Sequence, residues 1–473
     1  METEFDFVVI GGGSAGYAAA RTAHEAGMKT AVVDGAETLG GLCILRGCMP
    51  SKTLIESANR SRSMRHAQEF GLRAGKSEVY PEEIVARKRR LIGEFADYRQ
   101  EQLEDGRFEL IRGRASFTGP NSLHATMRDG TSREVTFRSG LIATGSRITK
   151  VPIEGLEETG YWTSDDVLEA ESIPDEVIVL GGGAIALEMA CYLEGIGREV
   201  TVIQRSAQLL SGSDLDIAKA LEESLQGKEN LTVHTGTKLK RAFRDEASGK
   251  KAVVFEKEGE EHTVYGGEIL QALGRTPNTD GLNLEKAGVA KLDNDRHISC
   301  DSFQRTTSPH LFGAGDVCGP HEIVHIAIEQ GELAAHNAAC DLGFLGEDKK
   351  EIDYRLKLLG IFTDPPVAMV GMSEQEAGEA GHDFATATYP FDDHGKSMVM
   401  GETHGFVKMT ADRKTGEILG AAVVGPEAVE IIHELVVAMH FRSTTDEFLK
   451  IPHYHPTLSE IWTYPAEDLL ISD

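Results

Sequence analysis

One alternation of apolar and glycine-rich segments occurs twice in the chain. DFVVI (residues 6–10) and EVIVL (176–180) are short, largely apolar runs rich in β-branched residues, and glycines follow each of them. A stretch with helical periodicity follows, residues 14–26 in the first case and 184–195 in the second. A second apolar run then closes each pattern, over residues 29–34 and 199–205. The pattern predicts strand, loop, helix and strand in both places, the βαβ unit of a parallel sheet.

Within each unit the glycines sit where a dinucleotide fingerprint needs them. Gly11 and Gly181 make the turn out of the strand, and Gly13 and Gly183 let the backbone approach a pyrophosphate. Gly16 and Ala186 allow the helix to pack on the sheet. One such loop is a weak signal, but two copies in complete units predict two bound dinucleotides. The copies differ 23 residues after the first glycine, where the first has Asp34 and the second has Gln204 followed by Arg205. An acid there accepts the ribose hydroxyls and repels a 2′-phosphate, so Asp34 suits FAD or NAD. Gln204 removes that repulsion. Arg205 either pairs with a phosphate or is a solvated strand end, and the first option favours NADPH over NADH at the second site.

GGLCILRGCMPSK (40–52) places Cys43 and Cys48 five positions apart. In a continuous helix that spacing separates Cα atoms by roughly 8.6 Å, whereas a disulfide tolerates about 4.4–6.8 Å. A bridge therefore needs a turn, for which Gly47 is placed. Pro50 suits a first helical turn and residues 53–60 read as helix, so Cys48 falls at a helix N-terminus, where the dipole favours a thiolate. A redox pair, ordinary thiols and a metal site all remain open at this level; the last lacks a second pair of ligands at zinc spacing.

At 473 residues the chain has room for about three domains. Its 48 basic against 76 acidic residues give a net charge of −28, which opposes binding to nucleic acid or an anionic membrane. The other four of its six cysteines are scattered, as thiols in a reducing compartment are. With no leader-like or membrane-spanning run, the expected location is the cytoplasm.

These features together resemble the pyridine nucleotide–disulfide oxidoreductases, an FAD family that includes dihydrolipoamide dehydrogenase, glutathione reductase and mercuric reductase. GGLCILRGCMPSK is similar to the family's GGTCxNxGCxPSK. LIATGS (141–146, with Thr144 and Gly145) and LFGAGDV (311–317) resemble the strands that return to FAD, Asp316 making the ribityl contact. LGRTPNTDGL (273–282, with Gly274) resembles the segment that closes the nucleotide domain, and GETHGFVKM (401–409) and HYHPTLSE (453–460) the dimer-interface domain. The C-terminal segments lean towards dihydrolipoamide dehydrogenase.

The implied architecture is α/β, with two Rossmann-like dinucleotide-binding domains and an α+β C-terminal dimerisation domain. An FAD domain (1–150) carries the disulfide, an NAD(P) domain (151–274) interrupts it, a central segment (275–345) returns to FAD, and an interface domain (346–473) ends the chain. The implied function relays electrons between NAD(P)H, FAD and the Cys43–Cys48 disulfide. Cys48 faces the flavin as the charge-transfer thiolate, and Cys43 exchanges with a lipoamide-like disulfide or dithiol, small or protein-bound.

His455 is the implied acid/base, since imidazole alone titrates unperturbed near neutrality. Pro456 favours an extended backbone at His455. Glu460 orients the imidazole, or else it completes a capping box with Thr457. In the family this pair comes from the other subunit of a homodimer. Lys52 and Glu188 form an ion pair beside the flavin, or are a helix-surface lysine and a helix i,i+4 partner. His453 is assigned no chemistry, and no metal is expected.

The chain also departs from the family pattern. Leu42 and Leu45 stand for Thr and Asn, Arg46 for a small apolar residue, and Ala184 for a tyrosine that covers the flavin. These changes put the disulfide potential, the substrate entrance and the reaction with oxygen in question. Glutathione disulfide or another small disulfide is the alternative substrate. VIQRS (202–206) and FTDPPVAMVG (362–371) look closer to mercuric reductase, but the C-terminus carries no cysteine pair and His455-Pro456 is present. A flavin-bearing redox sensor that works by binding partners is the alternative from another class.

Overall fold

The structure, a computed structural model, describes residues 4–73, 75, 78–292 and 296–470. The chain divides into two compact units, and the sequence alternates between them.

The first unit comprises Met1–Pro50, Ala86–Thr149 and Arg275–Asp353. Its seven-stranded sheet has Phe5–Ile10 at the centre, flanked in parallel by Thr30–Val33 and by the long strand Ser132–Ile142. Leu311–Gly313 joins the same long strand in parallel. Ile10 and Gly313 both pair with Ile142, so three strands end in one row. That register delivers the loops beginning at Gly11, Ala143 and Ala314 to one edge of the sheet, where open α/β sheets bind ligands. The strands read as continuous apolar runs because helices cover them. Phe7, Val9, Val32, Leu141 and Phe312 pack with alanines of the helices Ser14–Glu25 and Val324–Leu342 in one core.

The second unit comprises Ser51–Val85, Lys150–Gly274 and Tyr354–Asp473. A four-stranded parallel sheet runs Leu231–His234, Glu199–Ile203, Glu176–Leu180, Glu268–Gln271. A three-stranded antiparallel sheet over residues 238–266 accompanies it. The C-terminal part is a five-stranded antiparallel sheet, on which the helix Ala428–His440 packs through Ile431, Ile432 and Leu435. Among the described residues no helix is long and apolar enough to cross a membrane.

The helix Cys48–Arg65 begins in the first unit and continues in the second, where it crosses the helix Ala184–Gly195. A Cβ at Gly195 would lie 2.6 Å from that of Ala58, so only glycine permits the crossing. Arg62 is buried there, its Nε 2.9 Å from Glu194 and 3.2 Å from Asp364, and its guanidinium also donates to the Cys191 carbonyl. Arg65 donates to the Gly195 carbonyl at 2.7 Å, and Lys228 pairs with Asp364. Burial opposes the Asp364 charge, yet Arg62 and Lys228 hold its carboxyl below the usual range; burial pushes the Cys191 thiol up to about 11.

Removing one member of a buried ion cluster strands the others, so Arg62→Met should cost about 3 kcal/mol of stability. Urea denaturation at neutral pH measures this. The folded-state pKa of Asp364 is depressed, so its contribution is present above an ordinary carboxyl pKa of about 3.9 and fades as pH falls below it. The stability gap between wild type and Asp364→Asn should narrow on acidification in the same way.

Candidate functional site

The first dinucleotide cradle lies in the first unit. Gly11 has φ +103°, and a Cβ there would come within 2.5 Å of the Ala143 carbonyl oxygen. A Cβ on Gly16 would lie 1.8 Å from the Gly11 carbonyl oxygen, so the helix Ser14–Glu25 can follow the strand this closely only without a side chain. Gly13 is different: the nearest atom a Cβ would meet is the Gly41 Cα at 3.7 Å, so the backbone amides at the helix start border open space. Such a helix start holds an anion through its N–H groups and dipole. At the tip of the next strand, Asp34 accepts the Gly12 N–H at 2.7 Å and the Ala36 N–H at 2.8 Å, and each oxygen keeps a lone pair for a ribose hydroxyl.

The returning loops meet the same edge. Thr144 Oγ1 donates to the Asn278 carbonyl at 2.7 Å, and Gly145 accepts the Asn278 N–H at 2.8 Å. Asp316 accepts the Ser146 hydroxyl at 2.5 Å, and Arg275 Nε donates to the Ser146 Oγ at 2.7 Å. The glycine cradle, the acid at the strand tip and the anchored Asp316 fit an adenine dinucleotide.

The second cradle belongs to the second unit. Gly181 has φ +121° and faces the Ala272 carbonyl oxygen, 2.4 Å from where its Cβ would be. Ala186 is fully buried behind the loop, and nothing lies within 4 Å of a Cβ on Gly183 or Gly274. Gln204 occupies the counterpart of Asp34, but its side chain is buried beside Gly182. Its amide donates to the Gln208 carbonyl at 3.3 Å and its oxygen accepts the Arg205 N–H at 3.1 Å. Arg205 is exposed just beyond the strand end. This cradle therefore fits a second dinucleotide, with an uncharged amide where the first has a carboxylate and a cation one residue on.

Cys43 lies on the short helix Gly41–Leu45, and Cys48 is the first residue of the helix Cys48–Arg65. Both are half-buried, and Arg46 between them is exposed. A Cβ on Gly47 would lie 3.2 Å from the Cys43 Cα, so the turn folds back onto the first cysteine. Gly47 is favoured by that close approach, with the Leu42 carbonyl oxygen at 3.0 Å, and not by a positive φ. Cys48 sits at a helix start, as the pattern at residues 50–60 predicts.

Lys52, one turn along this helix, places Nζ 2.9 and 2.8 Å from the two carboxylate oxygens of Glu188. Glu188 is buried and also accepts the Phe362 N–H at 3.0 Å, while the Phe362 ring lies 4.6 Å from Lys52 Nζ. The two residues pair with each other across 136 positions, and neither is a plain helix-surface group. Phe362 and the Arg62 cluster had no signal in the sequence, because their partners are set by packing.

Near the C-terminus, His455 Nδ1 lies 3.0 Å from both oxygens of Glu460. The His455 side chain is 78% exposed and that of Glu460 only 11%. Thr457 Oγ1 accepts the Glu460 N–H at 3.3 Å, which is half of the capping box, while the carboxylate faces His455. His453 is bonded to Glu434 at 2.7 Å and to the Ile451 carbonyl at 2.9 Å. Among the described residues no group of three or more acidic, cysteine or histidine side chains is arranged to hold a metal.

Comparison with known proteins identifies the family. Residues 5–331 match the family described as pyridine nucleotide-disulphide oxidoreductase, and residues 359–466 match its dimerisation domain. Dihydrolipoyl dehydrogenase of Bacillus subtilis is 34% identical over 470 residues, covering 97% of each chain. Among solved structures, LpdA of Mycobacterium tuberculosis superposes with a TM-score of 0.87 at 28% identity, covering 98% of this chain and 100% of that one. The HOCl-induced flavoprotein disulfide reductase RclA of Escherichia coli, solved as a Cu(II) complex, gives 0.84 at 26% identity, with 99% of each chain covered.

The two cradles separate in a mutational test. Gly16→Ala forces a methyl into a carbonyl and should yield protein without flavin absorbance, whereas Gly181→Ala should retain flavin and lose affinity for the nicotinamide dinucleotide. Absorbance of the purified variants and a binding titration read the two outcomes.

Proposed function

The chain belongs to the pyridine nucleotide–disulphide oxidoreductase family, and we propose that it carries electrons between NAD(P)H and a lipoamide-like disulfide through Cys43 and Cys48. The observation that carries this reading is the turn at Gly47, which folds a cysteine at a helix start back towards a second cysteine in a chain with two dinucleotide cradles.

When bound, FAD and the nicotinamide supply the two-electron transfer that opens or recloses the Cys43–Cys48 disulfide. The rest is work for the protein's own groups. In the reductive direction the Cys43 thiolate attacks one sulfur of the substrate disulfide, forming a mixed disulfide and expelling the other sulfur. His455, held by Glu460, gives that sulfur a proton. Cys48, whose thiolate the helix start favours, then attacks Cys43, closing the internal disulfide and releasing the second substrate thiol. The balance is one enzyme dithiol and one substrate disulfide to one enzyme disulfide and two thiols. With a dithiol substrate the same groups run the sequence backwards.

An acid/base that is mostly exposed while its carboxylate partner is buried suits delivery to another protomer. We place His455 and Glu460 of one protomer against Cys43 of its partner in a homodimer, a reading supported by the match of residues 359–466 to a dimerisation domain. Lys52 and Glu188 hold a fixed charge pair for the flavin, and Asp34, Thr144, Gly145 and Asp316 hold its adenosine and ribityl groups. Gly274 borders the nicotinamide dinucleotide. The cytoplasm is the proposed location. One observation favours a second substrate class, small anionic disulfides: Arg46 is exposed between the two thiols.

Turnover of lipoamide against glutathione disulfide decides the substrate class. In either case Cys43→Ser and Cys48→Ser should abolish disulfide turnover while leaving both cofactors bound; retained turnover in both variants ends the proposal. NADPH is the proposed nucleotide, because a charge-assisted contact from Arg205 to the 2′-phosphate is available. Arg205→Ala should then raise the KM for NADPH about tenfold and leave that for NADH unchanged. Equal effects on both would assign Arg205 to solvent.

A further inference from the structure

Glu460 has a second histidine on its buried side. His394 is fully buried at the start of the helix Gly395–Met400, with its Nε2 3.5 Å from Glu460 Oε1. Its Nδ1 lies 2.9 Å from the hydroxyl of Ser397, which is also fully buried. The ring stands edge-on to Phe391 and Tyr464, with centroids 6.5 and 6.4 Å away, and so cannot swing freely.

The tautomer follows from these partners. A proton on Nδ1 would leave the Nε2 lone pair facing a carboxylate in a buried site. With the Ser397 hydroxyl donating to Nδ1, Nε2 carries the proton and points it at Glu460. At 3.5 Å the contact is too long and too poorly aligned to count as a hydrogen bond as it stands, and among the described residues this buried nitrogen has no other acceptor, which leaves Glu460 as the group it can reach. Burial pushes the imidazole below its ordinary pKa and outweighs the pull of Glu460, so His394 is a neutral donor at neutral pH.

We propose that His394 is a positioning residue for the acid/base pair: its Nε2–H fixes the rotation of the Glu460 carboxylate so that both oxygens stay on His455 Nδ1. Ser397 fixes the tautomer, and Glu460 is the only route by which His394 affects the reaction. The proposal rests on the reading of His455 and Glu460 given above.

A double-mutant cycle on the holoenzyme tests it. His394→Phe keeps the ring and removes its nitrogens, and it should lower turnover of lipoamide about tenfold. Turnover of an aromatic nitrobenzoate disulfide, whose thiolate leaves without needing a proton, should change less than about twofold. Glu460→Gln should lower lipoamide turnover at least as much, and the double variant should be no slower than Glu460→Gln alone. If His394→Phe does not fold, Ser397→Ala keeps the ring, frees the tautomer and is read in the same way. Losses that multiply, equal losses on both disulfides, or a His394 variant as fast as wild type would overturn the proposal alone. A Glu460→Gln enzyme as fast as wild type would overturn it together with the acid/base reading.

Discussion

The buried ion pair between Arg62 and Glu194 is the interaction that fixes how two helices of the second unit cross. It lies where the helix that starts at Cys48 crosses the helix that starts at the second glycine loop. Both charges are almost wholly removed from water, which costs several kcal/mol per ion before any attraction is counted. Two apolar side chains of similar volume could hold the crossing at least as well. What they would lack is direction: a guanidinium that also reaches the Cys191 carbonyl and Asp364 accepts one register of one helix on the other. Lys52 and Glu188 sit further back along the same two helices, nearer their starts. Their contacts of 2.8 and 2.9 Å tolerate little slippage, so a clamp near the far ends that sets register is of direct use to the pair.

That clamp also explains which parts of the protein its sequence reveals. The α/β fold, membership of the family and disulfide oxidoreductase chemistry were all legible. Each of these rests on residues close together in the chain: a β-branched run, glycines at fixed offsets, two cysteines around Gly47. The contact of His455 with Glu460 was legible for the same reason, the two being five residues apart. The crossing was not. Arg62, Glu194 and Asp364 are spread over 302 positions, and nothing near Arg62 distinguishes it from the exposed arginines of its helix. The pattern located Gln204 but not its side-chain direction. Asp34 and Gln204 occupy equivalent strand tips, yet one bonds to its glycine loop and the other turns to residue 208. His394 lies in a segment with no motif, and its meaning appears only once Glu460 is seen beside it.

The chain's net charge of −28 raises a problem for the function, since dinucleotides are anions as well. At physiological ionic strength the Debye length is about 8 Å, so distant surface carboxylates are largely screened while groups in contact are not. Affinity is therefore decided locally, and both cradles are built from groups that need no net charge. Backbone N–H groups at a helix start attract a pyrophosphate whatever the total charge of the protein. Side-chain charges appear only where they discriminate. Asp34 favours ribose hydroxyls and opposes a 2′-phosphate, whereas the second cradle has the uncharged Gln204 at that strand tip and the exposed Arg205 one residue on. The long-range field still slows the approach of every anion, and more so for a nucleotide that carries an extra 2′-phosphate. A preference for the 2′-phosphate would therefore need a local cation, and the exposed Arg205 can act only on a group it touches.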